Sequence, residues 1–128
     1  MFNTPKVLIV DDSTSSSQFM SQALRKAGYQ VITAADGNEG LQKTLQERPH
    51  CLVLDVVLPG VSGFGICRQL RAMDPQHSLP IIMVSSKNTR MDQQWGLRQG
   101  ADRYLPKPFT EEELVQTVQE VLTEHHYM

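Results

Sequence analysis

The sequence has no apolar run approaching the ~20 residues a membrane-spanning helix needs, and its opening residues, MFNTPK, hold no signal core. Neither a membrane span nor a secretory leader is expected, and the chain reads as cytoplasmic. Cysteine is scarce. Cys51 and Cys67 are the only two, and neither stands at metal-ligand spacing from another Cys or His. A disulfide framework and a cysteine-based metal centre are thereby excluded, leaving two buried thiols in a reducing compartment. Basic charge is not in excess either: 12 Lys and Arg against 14 Asp and Glu give a net charge of -2. A surface that neutralises nucleic-acid phosphates is not expected. No repeat, linker or low-complexity segment interrupts the chain.

What is present is an ordinary globular mixture, with 40% apolar and 20% charged residues in 128. That length suits one domain, 1–128, which would bury roughly two-thirds of its unfolded surface. Short apolar runs recur at 6–10 (KVLIV), 30–33 (QVIT), 51–54 (CLVL) and 80–84 (PIIMV), with a weaker one at 103–105. Polar alternation is nearly absent from the first four, as in strands of a parallel sheet covered on both faces.

Helical patterns lie between the runs. One stripe is Phe19, Met20, Ala23, Leu24 and Ala27, ended by Gly28; a second has Leu41 and Leu45, with Asp36 as N-cap and Glu39 closing a capping box. Phe64, Cys67, Leu70 and Met73 mark a third. A fourth, near 89–99, has only Met91, Trp95 and Leu97 and should be weakly anchored. The fifth has Leu114, Val115, Val118, Val121 and Leu122, opened by a Thr110–Glu113 capping box. Strict βα alternation implies an α/β fold with a doubly wound, five-stranded parallel sheet. The fifth helical pattern ends near the C-terminus, so no output domain is expected, and His125, His126 and Tyr127 read as a frayed tail.

The polar residues that end the strands are unusual. The first strand runs into Asp11 and Asp12, the third into Asp55, the fourth into Ser85 and Ser86, the fifth into Lys107. Ligands of open parallel sheets bind outside those carboxyl ends. Three carboxylates on one rim repel one another, and a divalent cation with hard oxygen ligands relieves the conflict; Mg²⁺ suits such a set. With an ammonium and a hydroxyl beside them, these groups can bind a phosphoryl group and stabilise the charge on its oxygens.

The stretches KVLIVDDS (6–13), LVLDVVLPGVSG (52–63), IIMVSSK (81–87) and GADRYLPKPF (100–109) give the chain its resemblance to the bacterial response-regulator receiver family, across essentially its whole length. The resemblance implies a flavodoxin-like (βα)5 fold with sheet order 2-1-3-4-5. It implies that Asp55 is phosphorylated by a histidine kinase or phosphotransfer protein in a Mg²⁺-dependent reaction. Asp12 and Asp55 would hold the metal directly, Asp11 largely through water, and Val57 through its backbone carbonyl. Lys107, placed by a cis bond to Pro108, would pair with Asp55 and then with the phosphoryl group. Ser85 would close onto a phosphoryl oxygen, and the Tyr104 rotamer would follow it. Gly63 fits the glycine that ends the acidic loop motif. The chain departs from the family's common pattern at Leu58, often Met, and at Ser85, often Thr. A narrower resemblance, through QQWGLRQGADRYLPKPF (93–109) and VSSK (84–87), is to stand-alone regulators of type IV pilus twitching motility.

The implied protein is a signalling switch and not an enzyme with a separate substrate, although it catalyses its own phosphotransfer and dephosphorylation. It would switch contacts with a downstream protein effector, in pilus motility or in phototaxis or chemotaxis; no oligomeric state is assigned. A small Asp-dependent phosphatase would need a second acid beside the nucleophile, where Val56, Val57 and Leu58 stand. A flavodoxin-like redox carrier would use the hydroxyls of Ser13 to Ser17 for phosphate, but Asp11 and Asp12 would repel it. A degenerate, never-phosphorylated receiver is at odds with the complete acid, hydroxyl and lysine set.

Overall fold

The apolar runs pair as one parallel sheet in a computed structural model that describes residues 4–74 and 76–127. The strands are β1 (Lys6–Val10), β2 (Gln30–Ala34), β3 (Cys51–Asp55), β4 (Ile81–Ser85) and β5 (Arg103–Pro106). The helices are α1 (Thr14–Lys26), α2 (Gly37–Glu47), α3 (Gly63–Met73), α4 (Arg90–Arg98) and α5 (Glu111–Glu124). The strand order is β2-β1-β3-β4-β5. Register sets Val10 opposite Leu54 and Asp55 opposite Val84, so the carboxyl ends of the three central strands form one rim.

The uninterrupted apolar runs follow from two cores. Val7, Ile9, Cys51, Val53, Ile82 and Val84 face Met20 and Leu24 of α1 and Leu114, Val118 and Val121 of α5. Leu8, Val10, Leu52, Leu54, Ile81 and Met83 point the other way, onto Ile66, Cys67 and Leu70 of α3. Because side chains alternate along a strand, both sets must be apolar.

The helices depart from the expected stripes in instructive ways. Phe19 is 39% exposed, Leu45 57% and Met73 55%. Ala27 is exposed as well. Phe19 lies at the rim of α1 and tilts against Phe109, with ring centroids 6.1 Å apart. α2 packs through small residues together with Leu41, while Leu45 is left outside. A Cβ on Gly40 would stand 2.8 Å from Val10 Cγ2, and one on Gly37 2.8 Å from Ile66 Cδ1. Thr44 turns its hydroxyl back onto Gly40 O at 2.7 Å, so it too faces the sheet. Asp36 does cap α2, accepting from Glu39 N at 2.8 Å. The expected box is incomplete, because Glu39 reaches Ala35 N and pairs with Lys43 at 3.0 Å. The box on α5 is complete in both directions.

α4 is as thinly anchored as its sequence suggests. Met91 is 78% exposed, Trp95 and Leu97 47% each, and Gly96 alone of its residues is buried. At the opposite end of the sheet, the buried Arg71 donates to Gly100 O (2.9 Å), Leu79 O (2.6 Å) and Asp102 Oδ2 (3.0 Å). It thereby ties α3 to the entrances of β4 and β5. The C-terminal residues are not frayed: Tyr127 donates to Ser78 O at 3.1 Å, and its ring meets His50 edge-on at 5.4 Å. Among the described residues no helix is long and apolar enough to cross a membrane.

Candidate phosphoryl and metal site

The expected acids, Ser85 and Lys107 lie at or just beyond strand ends, where the hydrophobic runs stop, and Tyr104 lies within β5. Asp11 and Asp12 follow β1, Asp55 and Ser85 are the last residues of β3 and β4, and Lys107 follows β5. Oxygens of Asp11, Asp12 and Asp55 all lie within 4.8 Å of one another; Asp11 and Asp55 are buried and Asp12 is exposed. Gly63 makes this packing possible. Its N–H donates to Val56 O at 2.8 Å, and a Cβ there would overlap Asp55 O at 2.2 Å.

Lys107 crosses from β5 into the acidic cluster. Its Nζ lies 2.9 Å from Asp55 Oδ2 and 3.0 Å from Asp11 Oδ2. Its backbone N–H donates to Ser85 O at 2.8 Å, and its bond to Pro108 is cis. Asp11 Oδ1 accepts from Ser13 N at 2.8 Å, and Asp55 Oδ1 from Val57 N at 2.9 Å. Both buried carboxylates therefore have hydrogen bonds on both oxygens, as buried charge requires.

The electrostatics show what the cluster lacks. Burial is the main influence on Asp55 and raises its pKa; Lys107 and Val57 pull it down without cancelling the rise, and Asp11 adds to it. Burial also works against the charge on Lys107, but Asp55 and Asp11 outweigh it and hold the ammonium above its ordinary range. The two directions are compatible, because Lys107 divides one positive charge between two buried acids. A single ammonium facing three clustered carboxylates leaves room for more positive charge. Hard oxygen donors this close together fit a small divalent cation.

Two expected residues hydrogen-bond to the backbone of Lys87. Ser85 is fully buried, and its Oγ accepts from Lys87 N at 3.0 Å. Tyr104 directs its hydroxyl to Lys87 O at 2.5 Å. Burial raises the Tyr104 pKa, with the nearby Ser85 hydroxyl pulling the other way. Val57 is 51% exposed, and its N–H is engaged by Asp55. Sequence reasoning overlooked Ser16, which touches both Asp11 and Lys107, and Lys87, whose backbone holds Ser85 and Tyr104. A hydroxyl run after two acids was the only available sign of Ser16; a backbone contact such as that of Lys87 leaves none.

Known proteins resemble the chain over nearly its whole length. The response regulator receiver domain profile matches residues 7–119. Protein PilH of Pseudomonas aeruginosa is 40% identical over 117 residues, which make up 91% of this chain and 97% of that one. The alkaline phosphatase synthesis transcriptional regulatory protein PhoP of Bacillus subtilis is 41% identical over 117 residues, but the match spans only 48% of its length. Among solved structures, the Vibrio cholerae chemotaxis protein CheY4 superposes with a TM-score of 0.87 at 39% identity, covering 94% of this chain and 100% of that one. A CheY-like response regulator receiver domain protein from Methanospirillum hungatei gives a TM-score of 0.90 at 30% identity, over 97% and 98% of the two chains.

Proposed function

The chain belongs to the response regulator receiver domain family, and on that premise we propose that it is a phospho-acceptor switch whose acceptor is Asp55. The observation that supports this reading is the meeting of Asp11, Asp12 and Asp55 with Lys107 at the carboxyl rim of the sheet. A carboxylate oxygen of Asp55 bonds to the phosphorus of the donor. The bond from phosphorus to the donor's leaving atom breaks, and that atom keeps the electron pair. Lys107, already 2.9 Å from Asp55 Oδ2, turns to the arriving phosphoryl oxygens. Asp11, Asp12 and Asp55, with the Val57 carbonyl, would hold Mg²⁺. When bound, the ion supplies positive charge against the phosphoryl oxygens and relieves the repulsion among the acids. The same site hydrolyses the acyl phosphate, so the protein resets itself.

Ser85 and Tyr104 pass the state of Asp55 to α4. The donor is a sensor histidine kinase or phosphotransfer protein, and the output is contact with a protein effector in the cytoplasm, from one receiver domain spanning 1–128. Likeness to PilH and the 93–109 stretch support a role in type IV pilus motility. The two valines and the leucine after Asp55 supply no second acid for a phosphatase of external substrates. The test is intact mass after incubation with acetyl phosphate. One added phosphoryl group is expected with Mg²⁺ and none with chelator; equal uptake under chelation would overturn the metal-dependent mechanism.

A further inference from the structure

Ser16 lies in the second half of the hydroxyl run Ser13 to Ser17, inside α1. The Ser13 side chain caps that helix, accepting from Ser16 N. Ser16 is different from its neighbours because it reaches the acidic cluster. Its hydroxyl donates to Asp11 Oδ2 at 2.7 Å and accepts from Lys107 Nζ at 3.1 Å. A hydroxyl can do both at once, whereas a carboxylate only accepts and an ammonium only donates. Lys107 then has three acceptors for its three N–H groups: Asp55 Oδ2, Asp11 Oδ2 and Ser16 Oγ.

We infer that Ser16 is a positioning residue for Lys107, holding the ammonium at the junction of Asp11 and Asp55 through a contact from α1. The inference rests on the phospho-acceptor reading above. A lysine head on four methylenes is a mobile point charge, and each fixed acceptor narrows where it can go. When the Asp55 carboxylate takes a phosphoryl group, Lys107 must turn at least one N–H to the new oxygens. Ser16 and Asp11 remain as a fixed pair from which it makes that turn. An apolar side chain at this position would leave one ammonium hydrogen facing carbon, in a place where the lysine side chain is only 23% exposed. Asp11 Oδ2 would lose its shortest hydrogen bond at the same time.

The test compares wild type, Ser16→Ala and Ser16→Thr by two measurements. The first is the rate of phosphorylation by acetyl phosphate at saturating Mg²⁺. The second is competitive labelling of the Lys107 ε-amine by acetic anhydride without metal. Ser16→Ala should slow phosphorylation by about tenfold, the size expected for losing one hydrogen bond to a charged group, and should increase Lys107 labelling. Ser16→Thr keeps the hydroxyl and should restore both to within about twofold of wild type, the change of a fraction of a hydrogen bond. A wild-type rate in Ser16→Ala would overturn the inference. So would slowing in both variants with Lys107 labelling unchanged, which would mark a packing role for α1. A wild type that takes no phosphoryl group would instead defeat the phospho-acceptor reading, and the labelling would still decide whether Ser16 fixes Lys107.

Discussion

The Tyr104 hydroxyl donates to the backbone carbonyl of Lys87, 2.5 Å away, while the N–H of the same residue is held by Ser85 Oγ. Two side chains from neighbouring strands thus grip the loop that leads into α4. The Tyr104 ring also packs on α4 itself, since a Cβ on Gly96 would meet Tyr104 Cδ2 at 2.7 Å. Trp95 immediately precedes Gly96 and is 47% exposed. If Ser85 moves toward a phosphoryl group, Lys87 loses a partner, and Tyr104 and α4 shift with it. Beryllofluoride with Mg²⁺ should change Trp95 fluorescence, and Ser85→Ala should shrink the change while Asp55 is still phosphorylated. An undiminished response in Ser85→Ala would show that the coupling runs elsewhere.

Asp55 should destabilise the metal-free fold at neutral pH. Its folded-state pKa lies above the ordinary carboxylate value because of burial. In the window between the two values the folded state binds the proton more tightly than the unfolded state, so stability falls as pH rises through it. Above the window the ionised Asp55 is a fixed cost, which Asn does not incur. Asp55→Asn should therefore melt higher than wild type at pH 7 without metal. Saturating Mg²⁺ should stabilise wild type by mass action, by about 2.7 kcal/mol at a hundredfold excess over Kd, and narrow the gap. A variant that melts lower than wild type in chelator would contradict this.

Gly63→Ala tests the backbone packing beneath the site. The added Cβ would sit 2.2 Å from Asp55 O and 2.7 Å from Val56 Cα, both backbone atoms that cannot swing aside. A loss of about 3 kcal/mol is expected, the upper end for overpacking, read from the urea midpoint. A midpoint within about 0.5 kcal/mol of wild type, the range of a neutral surface change, would show that the start of α3 yields freely.

How much of this was legible in sequence depended on the kind of interaction. Runs such as KVLIV and CLVL are apolar at every position, so strands and sheet class could be read without tertiary information. The acids and Lys107 were legible because strand ends in this topology converge wherever the intervening helices lie. Helix faces were harder. Leu45 and Met73 fit an apolar stripe but are exposed; on α2, the close approach of Gly40 to Val10 and of Gly37 to Ile66 decides which side is buried. Ser16 and Arg71 act through residues far away in the chain, Lys107 for one and Gly100 and Asp102 for the other, and beyond the hydroxyl run after two acids nothing local in the sequence marks them.

Cys67 should be inert in the native protein at neutral pH. Burial pushes its thiol up to about 11, with nearby Arg71 only partly offsetting that. Roughly one thiol in ten thousand would then be thiolate at pH 7, the reactive form. Burial raises Cys51 as well. Iodoacetamide should leave both untouched at pH 7 and label both in urea. Rapid labelling of Cys67 in the folded protein would contradict its burial on α3, where its thiol donates to Gln99 O at 3.4 Å.

Borohydride trapping tests the central claim most directly, because it reduces an aspartyl phosphate to homoserine at the residue that held it. After incubation with acetyl phosphate and Mg²⁺, peptide mapping should find homoserine at position 55 and nowhere else, and none in Asp55→Asn. Homoserine at position 11 or 12 with position 55 intact, or its persistence at another position in Asp55→Asn at the wild-type level, would contradict the account.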